Sequence, residues 1–405
     1  MDGSQEKERM MTTDTQPTID RYGDPLGFKF REGARRSALA GLEGRDVVKV
    51  EARQMAGHQK EAVVTDGAEG PVWRLTSDEG THLRGTDLAP FPLGFFNAGM
   101  QADLYQRIRA LAAQRRIGLG GVEIWLVNHY WLTGSFVHGT GEGHAEPSDI
   151  EVRIRADAGR EAVERMVVDA LDASPAVALQ RQALAGNTFA LYINGRRRPV
   201  ADVPSSNSED AADPYRVYTH PPRPLAGAET RNRLIEKTGS REDGAAEPAP
   251  ATVSGTGRLI RNINGLGRSR DDGLFEVETW LGLPGASHFR LLSDPDGEAA
   301  PSGLALLSAG IAFCYMTQLS RYIESMKMRI SGARLVQFNP FVAAAAAAAE
   351  PIDTHLFLNG EAPEETHRQL LTVAARTCYL HAAAKAPLDP QVRIVHNGAP
   401  IERAA

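Results

Sequence analysis

The sequence has few cysteines and no long apolar run. Its 405 residues include two cysteines, Cys314 and Cys378. Two are too few for a disulfide framework or a cysteine-based zinc site, so we expect no bound metal. None of the apolar runs reaches the roughly 18 residues that are needed to span a bilayer. The first twenty residues are polar and lack a signal-peptide core. These absences predict a cytoplasmic protein that contacts no membrane.

Composition and charge are those of an ordinary globular protein. Hydrophobic residues make up 42% of the chain and charged residues 24%. The net charge of −6 gives no reason to expect a nucleic-acid partner. A chain of this length is expected to form two domains. In a reducing compartment its two cysteines are either inert core thiols or redox groups.

The longest segment without turn signals is 301–328, and it carries Cys314 near its middle. It opens with Pro301 and Ser302, and a serine hydroxyl can cap the first turn of a helix. Its first half is apolar on nearly all sides, which indicates a buried helix rather than a surface helix. A lone cysteine in such a helix is most often a small inert side chain, so burial alone does not predict chemistry.

Segments with helix and strand patterns follow the same order in both halves, which predicts an α+β fold. In each half, strands precede a long helix, and two strands, a helix and a final strand follow it. The first half contains strands at 47–50, 62–64 and 72–75, a helix at 92–117, a strand, a turn or bulge and a second strand at 122–139, a strand at 147–155, a helix at 160–173 and a strand at 190–193. The second half contains strands at 257–263, 274–280 and 288–292, a helix at 302–328, strands at 332–342 and 354–358, a helix at 363–385 and a strand at 392–396.

Short sequence matches recur in that same order, which indicates an ancestral tandem duplication. They are WRLTSD at 73–78 with FRLLSD at 289–294, AG at 98–99 with AG at 309–310, EPSD at 146–149 with EPID at 350–353, and NG at 194–195 with NG at 397–398. The predicted organisation is a disordered tail at 1–20, a degenerate domain without cysteine at 21–199, a linker at 200–255 and a second domain at 256–401. The linker is rich in Pro, Ser, Asp and Ala.

The matches place Asp103 opposite Cys314 and Ser174 opposite Cys378. A buried Asp103 would need a partner, and Arg107, one helical turn later, is a candidate. The alanine run 343–349 favours a helix by propensity. Its partner segment in the first half is rich in glycine, so we predict a strand end and a connection there instead.

The segments 303–314 (GLALLSAGIAFC) and 374–378 (AARTC) resemble the OsmC/Ohr family of thiol-dependent hydroperoxide reductases. The arginine-containing strands around 267–277 are also similar to that family. The resemblance covers 256–400 well and 45–200 as a divergent copy. It implies an intertwined dimer, with the long helices enclosed by sheets from both subunits. Two tandem OsmC-like domains would then form an intramolecular pseudo-dimer.

The resemblance implies that Cys314 is the peroxidatic thiol and that Cys378 condenses with its sulfenic acid. An external dithiol would reduce the resulting disulfide, without a bound cofactor. Because burial raises the pKa of a thiol, a cation must approach Cys314. The expected catalytic residues are Cys314, Cys378, Arg268, Arg270, Arg376, His381 and Glu276.

The residues expected beside the two cysteines have different expected roles. Arg268 and Arg270 are cation candidates by family position, and Arg376 is a further candidate on the second helix. His381 lies one turn after Cys378 and is a candidate proton acceptor. Family members place an acid at the start of the long helix. The segment 301–304 has none, and Glu276 is a candidate replacement.

Three functions remain open from the sequence. The first is a thiol peroxidase that acts on organic hydroperoxides. The second is an enzyme that uses Cys314 as a nucleophile in thiol transfer or hydrolysis, which the missing acid favours. The third is a non-catalytic protein that binds a small apolar ligand. The expected partners are a hydroperoxide or another apolar electrophile and a dithiol reductant, and a further homo-oligomer is compatible with the sequence.

Overall fold

A computed structural model describes residues 16–22, 25–184, 186–225, 233–244, 247–253 and 257–402. These residues form an α+β fold with seven α-helices and two mixed sheets, which confirms the predicted class. The helices are α1 (Ile19–Tyr22), α2 (Pro92–Arg115), α3 (Arg160–Asp172), α4 (Pro175–Arg181), α5 (Gly303–Ser325), α6 (Glu364–Thr377) and α7 (Tyr379–Lys385). The strands are β1 (Gly27–Arg31), β2 (Gly44–Gln54), β3 (Lys60–Thr65), β4 (Val72–Ser77), β5 (Gly118–Ser135), β6 (Glu142–Asp157), β7 (Thr188–Ile193), β8 (Arg196–Arg198), β9 (Ile235–Ser240), β10 (Thr252–Val253), β11 (Leu259–Ser269), β12 (Phe275–Leu281), β13 (Ser287–Ser293), β14 (Ile330–Ala343), β15 (Ala348–Ala349), β16 (Asp353–Gly360), β17 (Gln391–His396) and β18 (Ala399–Ile401).

Each sheet takes strands from both halves of the chain. The first sheet has the order β1-β4-β3-β2-β14-β16-β7-β8, and the second has the order β9-β13-β12-β11-β5-β6-β17-β18. The two orders match strand for strand when the halves are exchanged. The β16–β7 and β6–β17 pairs are parallel, and the other pairings along the two sheets are antiparallel.

The long helices α2 and α5 pack against each other between the sheets. Helix α2 contacts β5, β11 and β12 of the second sheet, whereas α5 contacts β2, β3 and β14 of the first. Their backbones touch at glycines. A Cβ added to Gly99 would lie 2.6 Å from the carbonyl oxygen of Gly303, and one added to Gly310 would lie 2.7 Å from the backbone nitrogen of Phe96. Only glycine allows two helices to approach this closely.

Helix α5 begins as predicted, because the hydroxyl of Ser302 accepts a hydrogen bond from the backbone N–H of Ala305. Asp66 of the other half holds that cap by accepting from the Ser302 backbone N–H (3.0 Å) and hydroxyl (2.9 Å). By length and composition α5 could cross a membrane, a match that the survey of apolar runs missed. Its apolar window of 18 residues is entirely buried inside the protein, as expected of a core helix.

One segment agrees with the prediction in part and another differs from it. The segment 122–139, predicted as strand, turn or bulge, and strand, forms one strand, β5, as far as Ser135. The pairing of β5 with β6 shifts register between Val127 and His129, which is the bulge alternative, and a turn follows Ser135. The predicted helix 363–385 is broken at Cys378 into α6 and α7. The alanine run behaves as predicted, with β14 ending at Ala343 and a connection leading to β15.

Parts of the predicted tail and of the predicted linker have defined structure and pack against or pair with the rest of the fold. Residues 1–15 of the predicted tail lie outside the described residues, but α1 follows them and Ile19 is buried against Met55 and Ala89. Within the predicted linker, β9 pairs with β13 and β10 pairs with β5. The hydroxyl of Tyr218 also donates to the backbone oxygen of Glu51 (2.6 Å) on the outer face of the first sheet.

Candidate active site

The two cysteines meet in the core although 64 residues separate them in the sequence. Their Sγ atoms are 3.3 Å apart, and both carry free thiols. Both side chains are buried, with 2% of Cys314 and none of Cys378 exposed. A disulfide has an S–S length of about 2.05 Å, so a movement of little more than an ångström would join them.

Cys378 occupies the break between α6 and α7. Its backbone angles (φ −68°, ψ 119°) are extended, so it ends one helix and caps the next. Its N–H still donates to the carbonyl of Ala374, and its own carbonyl accepts from the N–H of Ala382. The break places the thiol at the start of α7, where free backbone N–H groups attract negative charge.

The pKa values of the two thiols shift in opposite directions. Burial raises the pKa of Cys314 well above its usual range, and the adjacent Cys378 sulfur raises it further. Burial opposes ionisation of Cys378 as well. The hydrogen bond with Cys314 and the side chain and backbone N–H of His381 outweigh it and lower the pKa of Cys378. Within the pair, Cys378 is therefore the more acidic thiol.

His381 lies beside Cys378, in line with the sequence expectation. The imidazole is 1% exposed and packs between the rings of Phe189 and Tyr315. Its ring nitrogens make no hydrogen bond of ordinary geometry to a described residue, although the ring is close enough to lower the pKa of the Cys378 thiol.

Cys314 borders a small cavity of about 30 Å³. Its walls come from both halves of the chain, and Cys378 is not among the residues that line it. The lining residues are Glu79, His82, Leu83, Phe91, Pro92, Leu93, Leu259, Arg261, Leu281, Cys314, Thr317, Gln318, Arg321 and Tyr379. A small molecule that enters this space therefore meets the sulfur of Cys314 first.

The charged residues of this cavity differ from those the sequence suggested. Two arginines, Arg261 of β11 and Arg321 of α5, line it. The acid is Glu79, which accepts from the hydroxyl of Thr317 (2.6 Å) and lies 3.7 Å from the ammonium group of Lys60. Burial raises the pKa of Glu79, lowers that of Lys60 and lowers those of both arginines.

Four residues expected at the site lie elsewhere. Arg268 is half-exposed and pairs with Glu123 (3.0 Å). Arg270 pairs at 2.9 Å with Asp272 and with Glu276, which also lies 3.4 Å from Arg290. Arg376 donates to backbone carbonyls of the 139–141 loop. None of the four lines the Cys314 cavity, since the strands carry Arg268, Arg270 and Glu276 at partly exposed positions.

The first half has a polar pair at the matching position. The hydroxyl of Ser174 donates to Asp103 (2.6 Å), just as Cys378 meets Cys314. Ser174 also caps α4 as Cys378 begins α7. Arg107 forms the expected buried ion pair with Asp103 (2.8 Å). Among the described residues, no group of three His, Cys, Asp or Glu side chains is placed to hold a metal ion.

Sequence reasoning missed Glu79, Arg261 and Arg321 because they reach the cavity from a loop, a strand and a helix, and it missed Lys60, which pairs with Glu79. Arg321 alone had a local signal, since it lies two helical turns after Cys314 on the same helix. Arg261 lies seven residues before the expected Arg268 on the same strand, so the two side chains are on opposite faces of the sheet. The acid came from the other half of the chain, where no spacing rule relates it to Cys314.

The comparisons with known proteins add little to this geometry. No family model matches the chain, and no curated protein matches it. A solved structure, the OsmC-like hydroperoxide resistance protein from Jannaschia sp. CCS1, is similar at 22% identity. The match covers 29% of this chain and 81% of the other, with a TM-score of 0.19. A TM-score of this size is too low to support an argument about fold or function.

Proposed function

We propose that this protein is a thiol peroxidase that reduces organic hydroperoxides through Cys314 and Cys378. The observation that carries the proposal is the 3.3 Å separation of two buried free thiols, one of which borders a cavity. Two inert core cysteines would not be expected to lie in contact, to share a proton and to have a histidine beside them. The four charged residues around the cavity do not favour the alternative of a purely apolar ligand.

The reaction begins when the thiolate of Cys378 accepts the proton of Cys314 across the sulfur–sulfur contact. The Cys314 thiolate attacks the outer oxygen of ROOH, the O–O bond breaks, and RO⁻ leaves with the proton returned by Cys378. Cys314 is then a sulfenic acid. The Cys378 thiolate attacks that sulfur, the S–O bond breaks, and hydroxide leaves as water with a proton from solvent. The two thiols become one disulfide as ROOH becomes ROH and water.

A dithiol reductant returns the disulfide to two thiols by exchange. We place this cycle in the cytoplasm, where such reductants keep thiols reduced. The buried position of both sulfurs favours a small reductant or a local opening at the α6–α7 break. That break is the element whose movement would expose Cys378.

We also infer that the chain is a tandem duplication of an OsmC-like unit that forms an intramolecular pseudo-dimer. Two observations support this. The sheets have matching strand orders when the halves are exchanged. The Asp103–Ser174 contact occupies the position in the first half that Cys314–Cys378 occupies in the second. The first half then completes the fold, and the redox site is single.

The test is a titration of the reduced full-length protein with cumene hydroperoxide. One equivalent should consume both thiols and produce a Cys314–Cys378 disulfide, which peptide mass spectrometry identifies. In Cys378→Ser, dimedone should trap a sulfenic acid on Cys314. In Cys314→Ser, Cys378 should survive the same exposure.

Steady-state turnover separates the enzyme from a protein that is merely oxidised. A dithiol such as dithiothreitol should support repeated reduction of the hydroperoxide, whereas a monothiol at equal thiol concentration should support far less. Unchanged thiols after stoichiometric hydroperoxide would refute the peroxidase. Alkylation-sensitive hydrolysis or thiol transfer without a disulfide would instead favour the second function.

A further inference from the structure

Arg321 is buried without a hydrogen-bonding partner. Nine per cent of the residue is exposed, and its guanidinium group makes no hydrogen bond or ion pair with any residue that the structure describes. Its recorded contact is with the ring of Phe136, whose centroid lies 3.6 Å from Cζ. Ring stacking satisfies one face of the guanidinium but none of its five N–H donors. The residue lines the Cys314 cavity, so the donors border space that a ligand can enter.

Arg261 adds a second buried guanidinium to the same cavity. It is 7% exposed and donates to the backbone carbonyl of Ile260 (2.7 Å). Within the described chain, no carboxylate lies within ion-pair distance of either arginine. Glu79, the carboxylate of the cavity wall, is already engaged by Thr317 and Lys60.

The charges around the cavity therefore do not balance. Two cations, Arg261 and Arg321, line the cavity with one carboxylate, Glu79, which is already paired with Lys60. A buried cation without a counter-ion is unfavourable, because burial removes its hydration and nothing replaces it. A hydrogen-bonding anion supplies both the missing charge and the missing acceptors.

We propose that the Cys314 cavity binds a small monoanion at the guanidinium groups of Arg261 and Arg321. The volume of about 30 Å³ has room for an ion of the size of chloride, formate or nitrate, and a larger reagent reaches Cys314 only when the walls of the cavity move apart. Planar oxyanions suit the fork of N–H donors on an arginine, so formate and nitrate should bind more tightly than chloride. The bound anion occupies the space in front of the Cys314 sulfur and controls its access to other reagents.

This inference does not rest on peroxide chemistry, because it concerns charge and space alone. A competing anion would slow any reagent that approaches Cys314 through the cavity. The effect must saturate, since it reflects occupancy of one site. General screening by salt would instead change gradually with ionic strength and would not depend on the size of the anion.

The test measures alkylation of Cys314 by iodoacetamide, a neutral probe, in the reduced full-length protein. Sodium formate replaces sodium gluconate at constant ionic strength, because gluconate is too large for the cavity. At a formate concentration about ten times its dissociation constant, the alkylation rate should fall about tenfold. Quantitative peptide mass spectrometry reports Cys314 separately from Cys378.

Matched variants locate the effect. Arg321→Met should abolish the slowing by formate, while Arg153→Met, a half-exposed arginine paired with Glu123 and Glu151, should keep it. Removal of an uncompensated buried cation should leave the thermal midpoint in gluconate unchanged or higher, so loss of the fold is not expected. Arg261→Met provides a second variant with the same expected result.

Three results would overturn the proposal. The first is an alkylation rate that does not depend on formate in the wild type. The second is equal slowing in Arg321→Met and in the wild type. The third is stronger protection by hexanoate than by formate, which would show that the arginines hold the anionic end of a larger ligand rather than a free small anion.

Discussion

Replacement of Asp103 by leucine tests whether the first half of the chain holds a structural pair where the second half holds thiols. The carboxylate accepts four hydrogen bonds, from Arg107 (2.8 and 3.2 Å), the hydroxyl of Ser174 (2.6 Å) and the N–H of Ala176 (3.1 Å). Asp103 and Arg107 are both fully buried. Breaking a buried pair of this kind costs about 3–5 kcal/mol, because one charge remains without its partner. We expect Asp103→Leu to lose that amount in urea unfolding, with an unchanged m-value.

The double variant Asp103→Leu/Arg107→Met separates charge from packing. Replacement of both charges should recover most of the loss and leave a deficit of about 1–3 kcal/mol, since Ser174 and Ala176 still lack their acceptor. Disulfide formation between Cys314 and Cys378 should be unaffected in either variant. A single variant within about 1 kcal/mol of the wild type, or a double variant less stable than the single one, would refute the reasoning.

The remaining predictions concern the helices. Gly99→Ala should lower the free energy of unfolding by about 1–2 kcal/mol, because overpacking against Gly303 outweighs the gain in helix propensity of about 1 kcal/mol. The control is Gly239→Ala, which has open space around it and should change the free energy of unfolding in urea little. Burial raises the pKa of Asp66 from its ordinary value of 3.8 to about 6. The folded state therefore binds the extra proton between those pH values, and stability should fall as pH rises from about 4 to 6, by on the order of 3 kcal/mol. Asp66→Asn should flatten that part of the pH profile in urea titrations; a steep fall that persists in the variant would assign it to another group.

The sequence predicted the fold class because hydrophobic periodicity is a local property. The α+β pattern, the buried helix that carries Cys314, the Ser302 cap and the Asp103–Arg107 pair all depend on residues within a few turns of each other. The break at Cys378 was missed because helix propensity is good on both sides of it. It is set instead by close packing: a Cβ on Gly143 of β6 would lie 3.0 Å from the carbonyl carbon of Thr377.

The site was only partly predictable. The two cysteines and His381 were identified, but the expected arginines, Arg268 and Arg270, lie at partly exposed positions with carboxylate partners. The sequence did not single out the arginines that line the cavity. The alternation along a strand shows on which face of the sheet a residue lies, but it does not show what packs against that face.

The sequence by itself determined the order of the main elements, the number of thiols and the helix that holds Cys314. The tertiary structure decided the partners: which half supplies each strand, that the thiols of Cys314 and Cys378 touch, and that Glu79 and Arg261 reach the same cavity as Arg321. The reason is physical. Local patterns follow from backbone geometry and side-chain polarity over a few residues. Contacts between distant segments depend on how two sheets with exchanged strands enclose a pair of helices, and no spacing within either half records that arrangement.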